Sequence, residues 1–106
     1  MANNMMNMQK MMKQAQKMQA QMEASQKELA ETTFTGTEPS GMIKVTVTGD
    51  KKVEKIDLKP DVVDPDDIDM LQDLLLEATN DALSQVDAAQ EKSFGGISKG
   101  LSGLGF

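Results

Sequence analysis

Between Met5 and about Ala30 the chain has no Gly, no Pro and almost no β-branched residue. Met, Gln, Lys, Ala and Glu dominate, and all favour helix because they lose little rotamer freedom there. The apolar positions recur at heptad spacing. With Met8 at position a, Ala15, Met22 and Leu29 follow at a, and Met11, Met18 and Ser25 fall at d. The pattern predicts a long first helix with a self-association seam of Met8, Met11, Ala15, Met18, Met22 and Leu29. In the same register Lys10 and Lys17 sit at c, and Lys13 and Lys27 at f, so all four project away from the seam.

The period then changes to two. Thr32 to Thr37, Met42 to Thr48 and Val53 to Leu58 read as three strands, with Ile43, Val45 and Val47 on one face of the second. Pro39, Gly41 and Gly49 punctuate them, and Gly49-Asp50-Lys51-Lys52 suits a hairpin. The expectation is an antiparallel meander. Beyond Lys59-Pro60, Asp64-Pro65-Asp66-Asp67 announces a second helix, with Asp64 as N-cap, Pro65 at the first helical position and acids near the positive end of the dipole. That helix is expected to run to about Lys92. Ile68, Leu71, Leu75, Ala78, Ala82, Val86 and Ala89 form its apolar face and should cover one face of the meander. Residues 1–92 then make one domain, α-β-β-β-α in the α+β class, and the five glycines within 93–106 predict a flexible tail.

Composition adds two constraints. The only aromatics are Phe34, Phe94 and Phe106, which leaves a chain of 106 residues short of core-filling side chains and favours burial against a second copy. The absence of Cys fits a reducing cytoplasm, no signal-peptide pattern opens the chain, and no apolar run approaches the roughly 18 residues needed to span a bilayer. The absences also bear on chemistry. Without His, Cys, Tyr, Trp or Arg, the usual general bases, thiol nucleophiles, imidazole ligands and guanidinium clamps are missing together. The remaining carboxylates and lysines lie in densely charged stretches. The expectation is a non-enzymatic protein with no cofactor, no bound metal and no small-molecule substrate. The Asp64, Asp66, Asp67 and Asp69 cluster lacks the Gly and terminal Glu of a calcium loop and reads as helix capping.

Three blocks in order, NMQKMMKQAQKMQAQM (Asn7 to Met22), MIKVTVTGD, and VVDPDDIDMLQDLLLEATNDAL (Val62 to Leu83), resemble the YbaB/EbfC family of bacterial nucleoid-associated proteins, nearest to its low-GC Gram-positive branch. The resemblance covers nearly the whole chain. It implies a homodimer built across the central elements, with the long helices projecting as paired arms, and binding to double-stranded DNA with low sequence specificity.

The lysines are the candidate DNA contacts: Lys10, Lys13, Lys17 and Lys27 on the first helix, and Lys51, Lys52 and Lys55 at the hairpin. The net charge of −6 argues for the rival reading, a protein-interaction adaptor or chaperone-like module. That acidity is unevenly placed. Up to residue 60 there are nine lysines against seven acids, and beyond it two against ten. With Lys and no Arg, the surface acts on phosphates mainly as point charges, so binding should be salt-sensitive and weakly selective.

Overall fold

The computed structural model describes residues 2–103, with side chains described for 6–95. Helix α1 spans Ala2–Glu31, strands β1, β2 and β3 span Thr33–Thr37, Ile43–Thr48 and Val53–Leu58, a single 3-10 turn covers Pro60–Val62, and α2 spans Ile68–Gly103. The α-β-β-β-α order and the antiparallel meander β1-β2-β3 match the sequence pattern.

The core lies between the sheet and α2. Ile43, Val45 and Val47, which alternate along β2, meet Ala78, Ala82 and Val86, and all six are fully buried. The period of two on one side and the three-to-four spacing on the other put these rows face to face. Leu71, Leu74, Leu75, Leu83 and Phe34 pack around them, and Val62 from the 3-10 turn completes the cluster. Of the predicted α2 face, Ile68 remains 47% exposed.

Small residues set the closeness of this packing. Gly36 in β1 lies so near α2 that a Cβ there would fall 2.2 Å from the Ala82 amide nitrogen and 2.5 Å from the Ala78 carbonyl oxygen. Side chains reinforce the contact: the Thr37 N–H donates to Asp81 Oδ2 at 2.9 Å, and Gln85 Nε2 donates to the Thr35 carbonyl at 2.8 Å.

Two helix termini differ from the sequence pattern. Asp64 accepts the Asp66 N–H at 2.9 Å and so closes a turn, while Asp67 accepts the Met70 N–H at 3.2 Å and is the N-cap of α2. Asp-x-x-Met at the true start has the N-cap to N3 spacing; Pro65 belongs to the turn before it. At the other end α2 continues past Lys92 to Gly103, so the helical backbone runs through Gly95, Gly96 and Gly100, where the glycine content predicts a flexible tail. Helix interiors tolerate Gly at roughly 1 kcal/mol each relative to Ala. Residues 104–106, the end of that expected tail, lie outside those described.

Helices α1 and α2 run antiparallel beside each other, Leu29 near Gln90 and Ser25 bonded to Ser93 (Oγ···Oγ 2.8 Å). They give the chain a long axis of 80 Å against 21 and 15 Å across it. The molecule therefore has a base, the sheet with the first half of α2, and an arm.

Candidate nucleic-acid interface

The arm is fixed to the base at Gly49, between β2 and β3. A Cβ at Gly49 would fall 1.7 Å from the Leu29 carbonyl oxygen, so only glycine lets the end of α1 rest there. The Gly49 N–H donates to the Thr32 carbonyl at 3.0 Å, just after α1 ends. Above this junction lies a cleft of about 460 Å3, lined by Met22, Leu29, Ala30, Gln90, Ser93 and Phe94 among others.

The sequence-predicted seam divides along α1. Met18, Met22 and Leu29 are half-buried, and Met22 and Leu29 share the cleft with α2 residues of the same chain. Met8, Met11 and Ala15 are exposed, as are Met6 and Met12.

All seven candidate lysines are exposed, but their surroundings differ. Lys51 Nζ lies 3.2 Å from Asp87 Oδ1, Lys52 Nζ 3.7 Å from Asp50 Oδ2, and Lys55 Nζ 3.6 Å from Asp57 Oδ1. Lys51 also holds a left-handed backbone (φ +65°), which places it as a turn residue ahead of β3, with its side chain toward α2. Lys10, Lys13, Lys17 and Lys27 pair with no carboxylate among the described residues. Lys10, Lys13 and Lys17 follow three-then-four spacing and share one side of α1, where residues 1–22 hold no acid.

The structure brings out two carboxylates that sequence reasoning missed. Glu38, after β1, is almost fully buried and accepts the backbone N–H groups of Ser40 (2.6 Å), Met42 (2.6 Å) and Ile43 (3.1 Å) as well as the Ser40 hydroxyl. The Ser40 hydroxyl and these amides hold its carboxyl below the ordinary glutamate range. It shapes the β1–β2 turn. Asp50 is likewise lowered, first by the Thr48 hydroxyl and also by Lys52. A Glu-Pro-Ser-Gly turn between strands was the available signal for Glu38, since a carboxylate there can accept the turn's own amides. Among the described residues no group of three or more acids is placed to hold a metal, and no helix is long and apolar enough to cross a membrane.

An apolar surface remains on the base. The register pairs Ile56 with Val45 and Leu58 with Ile43, so these β3 side chains stand on the face that α2 covers over β1 and β2. On β3 that cover is missing: Val53, Ile56 and Leu58 are 50%, 49% and 41% exposed, and Val63 is 51% exposed.

Comparison with known proteins finds relatives of this chain. Residues 5–101 match the model of the YbaB/EbfC DNA-binding family. A nucleoid-associated protein of Lactococcus lactis subsp. lactis is 50% identical over 97 residues, covering 92% of this chain and 98% of the relative. One from Streptococcus thermophilus is 58% identical over 91 residues, covering 86% and 92%. The crystal structure of an uncharacterized protein from Helicobacter pylori superposes with a TM-score of 0.64 at 17% identity, over 77% of this chain and 86% of that one, and shares the fold.

Proposed function

The chain belongs to the YbaB/EbfC DNA-binding family, and from that premise we propose that it is a homodimeric, cytoplasmic nucleoid-associated protein that holds double-stranded DNA by its phosphates, with low sequence specificity and no catalysis. The observation that carries the reading is the row Lys10, Lys13, Lys17 on the stretch of α1 in which residues 1–22 hold no acid. Such a row neutralises phosphates and releases counterions, whatever the base sequence. The acidic face of α2 stays away from the duplex, and the arms take part in organising the nucleoid.

A gel-shift titration on unrelated duplexes tests this. Comparable affinities and a steep fall with salt are expected. Absence of binding at low salt, or binding indifferent to salt, sinks the reading.

The second copy covers the β3 face. Val53, Ile56 and Leu58 form an apolar row on the edge strand, and a protomer alone leaves it in water. Sedimentation should give about twice the 11.5 kDa protomer mass. The double substitution Ile56→Lys, Leu58→Lys should give a folded monomer, because both side chains are already half in water within the protomer. A wild-type monomer at micromolar concentration overturns the assignment.

The adaptor reading retains one observation in its favour, the net charge of −6. A pull-down with and without nuclease separates the two. Partners that persist after nuclease, with no DNA recovered before it, favour the adaptor.

A further inference from the structure

Ten methionines in 106 residues are accompanied by no Cys, His, Trp or Tyr, so thioethers are the only readily oxidised side chains in this chain. Those whose side chains are described differ in environment. Met6, Met8, Met11 and Met12 are 63%, 64%, 64% and 61% exposed, whereas Met18, Met22 and Met42 are half-buried and Met70 on α2, at 36% exposed, stands between the two groups. The four open sulfurs lie within the segment that carries Lys10 and Lys13. Met6 stands one turn before Lys10 on the same side of α1, and Met8 and Met11 continue the seam whose inner part, Met22 and Leu29, faces α2.

We propose that Met6, Met8, Met11 and Met12 are an oxidative modification site, at which a two-electron oxidant of the peroxide class loosens the arm and weakens its hold on DNA. The sulfur lone pair attacks one peroxide oxygen, the O–O bond breaks and water leaves. The thioether becomes a sulfoxide while peroxide is reduced to water, and sulfoxide reductases reverse the change. An apolar side chain thereby becomes a polar one with a strong acceptor oxygen. At Met6 that oxygen lies within reach of the Lys10 ammonium and competes with phosphate for it. At Met8 and Met11, which already stand in water, it replaces a flexible apolar side chain of high helix propensity with a polar, chiral one, and so weakens the helix that carries the lysines.

The consequence for DNA rests on the function proposed above; the modification itself does not. The experiment titrates the full-length dimer with hydrogen peroxide and follows three readouts: peptide mass mapping of each methionine, helical circular dichroism, and affinity for a generic duplex. The four exposed sulfurs should oxidise ahead of Met18, Met22 and Met42, with loss of helical signal. Affinity should fall by about tenfold, the worth of one charge-assisted hydrogen bond, and return after treatment with methionine sulfoxide reductase. In the variant M6L/M8L/M11L/M12L, which keeps helix propensity and side-chain volume, peroxide should leave affinity and helicity where they were before treatment. The proposal is overturned if the half-buried sulfurs oxidise first. It also fails if full oxidation of the four changes neither helicity nor affinity, or if the leucine variant is equally sensitive. If the untreated protein binds no DNA, the functional reading fails, and the order of oxidation together with the helical signal decides the modification alone.

Discussion

Base and arm carry the same kinds of side chain and use them differently. At the hairpin of the base, charge is answered locally: Lys51, Lys52 and Lys55 each lie within 4 Å of a carboxylate, while Asp81 takes the Thr37 N–H and Glu38 takes three turn amides. Along the arm, Lys10, Lys13 and Lys17 have no acidic partner among the described residues, and the methionines beside them stand in water. Exposed ion pairs contribute little to stability, so the pairing matters here mainly because it cancels the field a phosphate would meet. A chain of net charge −6 can present a positive surface when its acids are gathered elsewhere.

The comparison breaks most severely if the base fails to close. Gly36→Ala puts a methyl group against the Ala82 amide and Ala78 carbonyl, which are backbone atoms of α2 and cannot swing aside. The expected cost is roughly 3 kcal/mol or more, a large share of the roughly 5–15 kcal/mol that holds a small domain. Urea denaturation reads it. A variant as stable as the wild type would mean that α2 rides higher on β1 than described.

The next effect separates the two lysine sets directly. Lys10→Gln, Lys13→Gln, Lys17→Gln removes three charges from each protomer while preserving helix propensity, and should lower DNA affinity by about a hundredfold. The salt slope should become shallower by roughly one unit for each phosphate no longer neutralised. Lys51→Gln, Lys52→Gln, Lys55→Gln should do far less, because those charges are already partnered. Equal effects from the two triples would erase the distinction, and an effect only from the second would move the interface to the hairpin.

Much of this architecture is legible in the sequence because it rests on periodicity. The heptad of α1, the alternation Ile43, Val45, Val47 and the three-to-four row through Ala78, Ala82 and Val86 each describe one element's own face. What stays hidden depends on two elements at once. Nothing within TTFTGT says that Gly36 meets the backbone of α2, and nothing in GDKK says that Lys51 reaches Asp87. The local pattern puts the start of α2 at Asp64 for a related reason: Asp64-Pro65 and Asp67 are both good local starts, and only the position of the 3-10 turn and Val62 in the core decides between them. The seven lysines are recognisable as candidates from the sequence, and the difference in their surroundings requires the fold.

A smaller effect comes from the one buried carboxylate of the base. The folded state holds the Glu38 carboxyl below its ordinary range through the Ser40 hydroxyl and the turn amides. Its contribution is therefore present at neutral pH and is lost as pH falls from the ordinary glutamate range through the lower folded value. Glu38→Gln should lower the melting temperature at pH 7 and flatten the acid limb of the melting-temperature profile. An unchanged acid limb would show that other carboxylates carry it.

The smallest expected effect is the sharpest test of what pairing does. Asp87→Asn removes the partner 3.2 Å from Lys51 without changing the shape of the side chain. Both members are half exposed, so stability should move by about 1 kcal/mol at most. For DNA the change has a sign. It deletes a negative charge from each protomer and frees a positive one at the hairpin, so affinity at low salt should rise by about twofold if the hairpin lies near the duplex, and the gain should vanish as screening shortens the reach of the charge. No gain at low salt would confine the interface to α1. A gain much larger than this would mean that Lys51 was held back from a phosphate it is well placed to meet, and that the base, once its pairs are broken, binds DNA as the arm does.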